Sequence, residues 1–411
     1  EVTTAPGPTI IYRTTGGNLD LYFFPGPRPE EVTQQYLALI GKPFLPAYWA
    51  LGFQISRYGY RDFEEMKNII ESNIRAGIPL DTVVADIDYM DGCKDFTVGE
   101  KWKNLSTYVK QLRTKGMRSV LIFDPAIEVN HSVFKRAREA QASFIEWERH
   151  DQVMQSIQNL YPLTKDTKIM LGVVWPDDHV AFPDFLDPTN ATADWWIQEF
   201  KKFWKLVPYD GIWIDMNEPA NFGTNEEEPF YFKHANHKNS APLFCPKDDN
   251  GKDAEWDMPP YKTHAVFIDK GKTQLASKTL CMLAVQANGT QRFYNVKNLY
   301  GLSESIATQI AQHEATGKRG AVISRSTFVS SGRYAGHWLG DNAATWEDLQ
   351  AAVIGVQEFN MFGIPYVCHI SQIRSKNVLR LAAFMYSLYT LTPLKVQWAY
   401  SCDITWREIS S

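Results

Sequence analysis

The chain reads as an α/β fold, a βα barrel, on three observations. Short apolar runs alternate with helical stretches, which implies a parallel sheet. Four of those runs end in an aspartate, at Asp86, Asp124, Asp215 and Asp341, and chemistry in a βα barrel gathers where the strands end. With 411 residues, 44% of them hydrophobic, the chain can bury a core of that size.

The elements follow in order. Residues 1–45 hold two strand-like runs, 9–13 and 19–24, around Gly16-Gly17, and read as the end of a β-sandwich and a linker. A helix is expected at 29–41, where Val32, Tyr36, Leu37 and Ile40 recur at helical spacing. Barrel strands are expected at 50–56, 82–89, 119–125, 211–215, 321–324 and 337–340, inside a barrel region 46–400 followed by a tail 401–411. Two connections, 125–209 and 219–320, are too long for simple loops and read as subdomains inserted near 126–209 and 219–320. Near the end, Leu379, Leu381, Phe384, Met385 and Leu388 recur with helical spacing, which favours helix over strand.

Composition excludes several classes. A net charge of −5 leaves no basic patch, which speaks against nucleic acid and anionic membranes as partners. No run of 18 apolar residues exists, so no segment of this sequence reads as spanning a bilayer. The chain opens at Glu1 with no initiator Met or signal peptide, and reads as a piece of something longer. Of the five cysteines, Cys93, Cys245, Cys281, Cys368 and Cys402, no pair has metal-ligand spacing, so no zinc site and no cofactor are expected. Acceptor sequons at Asn104, Asn130, Asn190 and Asn288 point to the secretory pathway.

The most informative segment is Trp213-Ile214-Asp215-Met216-Asn217-Glu218, bracketed by Gly211 and Pro219 as a strand. Side chains alternate along a strand, so Trp213, Asp215 and Asn217 are expected on one face. A carboxylate beside an indole at a buried strand end is costly unless a site uses it. Sugar chemistry uses both groups: the ring packs on a pyranose face, and the carboxylate attacks or stabilises the anomeric carbon. His337-Trp338-Leu339-Gly340-Asp341-Asn342 repeats the pairing of indole and carboxylate. Retaining glycosidases need two carboxyl groups, about 5–5.5 Å apart, one as nucleophile and one as acid/base. Asp341 also precedes an apparent helix at 345–356, so a capping role stands beside the catalytic one.

Val84-Ala85-Asp86-Ile87-Asp88-Tyr89-Met90-Asp91 and Ile323-Ser324-Arg325-Ser326-Thr327-Phe328 complete four motifs, with Trp175-Pro176 leading to Phe182-Pro183-Asp184-Phe185. In this order they resemble the family-31 glycoside hydrolases, over 11–366, and Ile214 favours the lysosomal and intestinal α-glucosidase branch. The resemblance implies a (β/α)8 TIM barrel and a retaining exo-α-glucosidase. Such an enzyme releases terminal glucose from maltose-type or starch-type oligosaccharides in the secretory pathway, outside the cell, at its surface or in the lysosome. Asp215 matches the nucleophile and Asp341 the acid/base, which must hold a proton for the leaving oxygen. Asp86 and Arg325 match residues that hydrogen-bond sugar hydroxyls, although Asp86 also suits a turn cap. Arg325 in an apolar strand needs a carboxylate or a ligand as partner. Trp175, Trp213, Met216 and Trp338 match the walls of the glucose pocket, where core packing is the plainer alternative. Glu218 matches a position that supports the nucleophile, and a structural ion pair is its alternative. Cys245 and Cys281 resemble a disulfide pair of the family, which implies an oxidising compartment.

One stretch departs from the family. The glycine, aspartate and phenylalanine of its seventh strand are replaced in Val367-Cys368-His369-Ile370-Ser371-Gln372, and the substrate-binding histidine of the eighth has no counterpart. The barrel is therefore expected to be incomplete at strands seven and eight, with a gap before strand one. Two further readings follow: a catalytically impaired member that at most binds sugar, or a relative with α-xylosidase or transglucosidase specificity.

Overall fold

The computed structural model describes residues 2–229, 240–247, 251–259, 274–343, 345–372 and 399–403, and they group into two compact units. The helical run read around Leu379 to Leu388 lies outside the described residues.

The unit formed by 24–125, 193–217 and 301–411 is a parallel barrel. Its strands are β1 Gln54–Ile55, β2 Thr82–Ala85, β3 Arg118–Phe123, β4 Gly211–Ile214, β5 Val322–Ser324, β6 Gly336–Ala343, β7 Val367–Gln372 and β8 Ala399–Asp403. They lie side by side in chain order and the ring closes on itself. β2, β4 and β5 are buried along their whole length, as parallel strands covered on both faces require. The central ladder aligns Phe123 with Ile214 and Ile214 with Ser324, so the ends of β3, β4 and β5 lie level. That level edge positions the site.

The expected gap between strands seven and one is filled by β8, which closes the ring and leaves only a thin seam. β7 and β8 pair over five residues, whereas β8 meets β1 through one registered pair, Ser401 opposite Gln54. Residues 401–403, read from sequence as tail, therefore belong to strand eight. Two strands are also shorter than read. Residues 48–51 form a 3-10 turn ahead of β1, and Ile87–Tyr89 form another after β2.

Helices alternate with these strands: α1 Pro29–Ile40, α2 Phe63–Arg75, α3 Leu105–Thr114, α4 Ala191–Leu206, α5 Tyr300–Thr316 and α6 Trp346–Met361. Asp62 caps α2 by accepting from the Glu65 N–H at 2.9 Å, and Phe63, Met66 and Ile70 form its buried stripe. In α4, Trp196, Phe200 and Phe203 recur at i, i+4 and i+7 and carry an aromatic stripe onto β3. The Phe123 ring lies 4.6 Å from Phe200 and 5.6 Å from Phe203, and Phe96 joins them at 5.3 Å from Phe123.

The second unit comprises 1–23, 126–192 and 218–300. Val2–Ala5 and Thr9–Tyr12 pair as an exposed antiparallel hairpin. The second run read as a strand, 19–24, forms none: Leu19 is 76% and Phe23 83% exposed, so no neighbouring strand shields it. Ile127–Glu128, Val180–Ala181 and Leu171–Gly172 make a small antiparallel sheet. Cys245 and Cys281 are joined as a disulfide, the pairing implied by the resemblance. The four sequon asparagines, Asn104, Asn130, Asn190 and Asn288, are exposed. Among the described residues no helix is long and apolar enough to cross a membrane.

Candidate active site

Asp215 stands one residue beyond β4, its N–H donating to the Phe123 carbonyl at 3.0 Å. Arg325 stands one residue beyond β5, its N–H donating to the Ile214 carbonyl at 3.2 Å. Because Ile214 and Ser324 are in register, the two side chains meet: Arg325 Nη1 lies 3.1 Å from Asp215 Oδ1. Asp215 is only 7% exposed, and the guanidinium supplies the opposite charge that a buried carboxylate needs. Arg325 Nη2 reaches Met216 Sδ at 3.2 Å, and its guanidinium carbon stands 5.9 Å from the centre of the Trp338 ring. Trp338 and Trp213 pack edge to face, 4.8 Å apart at 74°, both buried. The indole N–H of each finds no hydrogen-bond acceptor among the described residues, which is uncommon for a buried donor.

Asp86 follows β2. Its Oδ1 accepts from the Ile87 N–H at 2.7 Å, so the turn-cap reading is realised by one of its oxygens. Burial, then the carboxylates of Asp88, Asp215 and Asp341, push its carboxyl up to about 8. Asp86 therefore lies close enough to Asp215 and to Asp341 to feel the charge of each. Asp341 sits in β6 past a register shift between Trp338 and Asp341, where Gly340 takes φ +93°. Such a bulge re-aims the next side chain, and glycine is the residue that bears that φ without strain. Asp341 is exposed. The helix it precedes is capped by Thr345, whose Oγ1 accepts from the Asp348 N–H at 3.1 Å, which leaves Asp341 without the capping role.

Trp175 and Glu218 belong to the second unit, where Trp175 packs edge to face on Phe222 at 5.0 Å. Glu218 is half-buried and its charge favours the ammonium of Lys297, whose pKa burial lowers. Asn217 does not continue the strand alternation read from sequence. β4 ends at Ile214, Met216 turns to φ +57°, and the Asn217 amide instead bonds Ser324 and Ser326. Asp124 is 2% exposed, with its N–H donating to Asp95 Oδ1 at 2.8 Å, and burial raises both carboxyls well above the ordinary range. His337 is stacked on Phe359 at 3.7 Å, with Nδ1 3.1 Å from Thr327 Oγ1, and burial lowers its pKa to about 4, so it is neutral near pH 7.

Sequence reasoning passed over Tyr58, at the end of β1. It is 53% exposed, and its hydroxyl pKa is raised by partial burial and then by the charges of Asp88, Cys93 and, least, Asp86. The signal available was positional: Tyr58 follows its strand as the aspartates follow theirs. Cys245, Asp257 and Cys281 bring possible metal-ligand atoms within 4.8 Å of one another, and the two sulfurs are joined in the disulfide.

The family description "Glycosyl hydrolases family 31 TIM-barrel domain" matches residues 43–370. The chain is 40% identical to a human protein named probable maltase-glucoamylase 2, over 89% of this chain and 14% of that protein. It is 37% identical to rat lysosomal alpha-glucosidase, over 89% of this chain and 34% of the relative, and 38% identical to Arabidopsis thaliana alpha-xylosidase 1, over 88% and 37%. It thus spans well under half the length of these relatives. In structure it resembles the catalytic subunit of an endoplasmic-reticulum glucosidase II complex, with TM-score 0.67 and 23% identity over 93% of this chain and 35% of that one; this likeness bears on the fold alone. With the matched barrel covering most of the chain, the protein belongs to glycoside hydrolase family 31.

Proposed function

We propose that this chain carries the catalytic barrel of a retaining exo-α-glucosidase acting on maltose-type or starch-type oligosaccharides in the secretory pathway. The observation that carries the reading is the Asp215–Arg325 pair at the level strand edge, walled by Trp213, Trp338 and Met216. Asp215 attacks the anomeric carbon as Asp341 gives its proton to the leaving oxygen, forming a glycosyl ester. Asp341 then takes a proton from water, which opens the ester with overall retention. The exposure of Asp341 suits a group that exchanges its proton with solvent in each cycle. Arg325 and Asp86 bind sugar hydroxyls. The unpartnered indole N–H groups of Trp213 and Trp338 are donors that hydroxyls can satisfy.

The resemblance to a plant alpha-xylosidase keeps a second specificity in view. The purified protein is to be assayed with 4-nitrophenyl α-glucoside, the matching α-xyloside and maltose, with the product anomer followed by NMR. The expected result is α-glucose released first, faster from the glucoside, with Asp215→Asn lowering turnover by at least about a thousandfold. Preference for the xyloside would move the specificity. Release of the β-anomer, or full turnover by Asp215→Asn, would overturn the mechanism.

A further inference from the structure

Asn217 is fully buried two residues after Asp215, and the proposed chemistry makes no use of it. Its Nδ2 donates to Ser324 Oγ at 2.9 Å, and its Oδ1 accepts from the Ser326 N–H at 2.8 Å. Ser324 Oγ in turn donates to the Ser326 carbonyl at 2.7 Å. These three bonds grip the residues on either side of Arg325, whose own N–H is tied to the Ile214 carbonyl. The turn at Met216, φ +57°, is what brings the Asn217 amide to the end of β5. Behind the gripped segment stands the first turn of α5. A Cβ on Gly301 would lie 2.4 Å from the Ser326 carbonyl oxygen, so only glycine lets the helix approach so near.

We propose that Asn217 is a positioning residue for the Asp215–Arg325 pair, fixing the Arg325 backbone through Ser324 and Ser326 so that the guanidinium stays on the carboxylate. The proposal rests on the reading of Asp215 as the nucleophile. The amide is the side chain this geometry needs, because it donates to a hydroxyl and accepts from a backbone N–H at once. Aspartate cannot donate to Ser324, and alanine leaves the Ser326 N–H without its acceptor and Ser324 Oγ with only its bond to the Ser326 carbonyl. A carboxylate held in one orientation meets the anomeric carbon in line, and displacement of about 1 Å at such a site costs rate steeply.

The test separates positioning from folding by labelling the nucleophile with 5-fluoro-α-glucosyl fluoride. An oxygen of Asp215 bonds to the anomeric carbon, fluoride leaves with the C–F electron pair, and the fluorinated ester is slow to hydrolyse. Intact mass reports the rate and final extent of labelling, and peptide mapping reports its place. Asn217→Ala and Ser324→Ala are expected to label to the same final extent as the parent, at a rate at least about tenfold lower. Ser324→Ala keeps the Asn217 amide and serves if Asn217→Ala fails to fold. An unchanged rate in both variants, or a lower extent at an unchanged rate, overturns the positioning role while the nucleophile stands. A parent protein that labels elsewhere than Asp215, or not at all, overturns both.

Discussion

At the scale of one residue, the proposed sugar contact of Asp86 comes with a cost in stability. Its carboxyl is pushed up to about 8 in the folded chain, above the ordinary value near 4 that it regains on unfolding. Between those values the folded state holds a proton that the unfolded chain releases. Stability is therefore full below about pH 4 and falls as pH rises toward 8. Asparagine at this position cannot ionise. Asp86→Asn is expected to melt about 1–3 °C above the parent at pH 8 and within error of it at pH 4, while losing α-glucosidase activity. Equal melting differences at both pH values, read by calorimetry, would show that the Asp86 carboxyl is not raised on folding.

At the scale of elements, the aromatic stripe of α4 packs its rings against β3. Phe200 is fully buried and its ring meets those of Phe123, Phe96 and Trp196. Phe200→Ala is expected to cost about 3–5 kcal/mol by urea unfolding, since so rigid a cluster cannot collapse into the space left. A loss under about 1 kcal/mol would mean that the stripe repacks. The elements were legible where the chain is most regular. Apolar runs ending in aspartate marked β2, β3 and β4 because parallel strands are buried on both faces and their ends carry the chemistry. The run at 19–24 misled because strand-like composition says nothing about whether a partner strand lies alongside. The role of Asn217 was hidden by the turn at Met216, since strand alternation says nothing about where a strand stops. The place of Asp341 was hidden in the same way, because its direction depends on the φ of Gly340 and the bulge around it.

The whole molecule closes through a seam whose thinness is itself testable. β8 touches β1 through one registered pair, against four between β3 and β4. Amide hydrogen exchange is therefore expected to be faster along β8 than along β4, by at least about a hundredfold. Protection of β8 equal to that of β4 would require a longer ladder than the registered pair provides. The exposed sequon asparagines give a second check at this scale. Protein made in the secretory pathway is expected to lose mass on treatment with an N-glycosidase, with deamidation at Asn104, Asn130, Asn190 or Asn288. Loss at none of the four would count against passage through that compartment.

The seam also sets a timetable for synthesis. Ser401 must find Gln54 across about 350 residues of chain, which a ribosome adds in roughly 20–70 s. Through that interval the nascent barrel offers unpaired edges at β1, and an open edge invites pairing with the wrong chain. Ring closure thus waits until strand β8 has been made. The yield of native barrel is therefore expected to rise when chaperones are supplied during synthesis, read as the soluble fraction at equal message level.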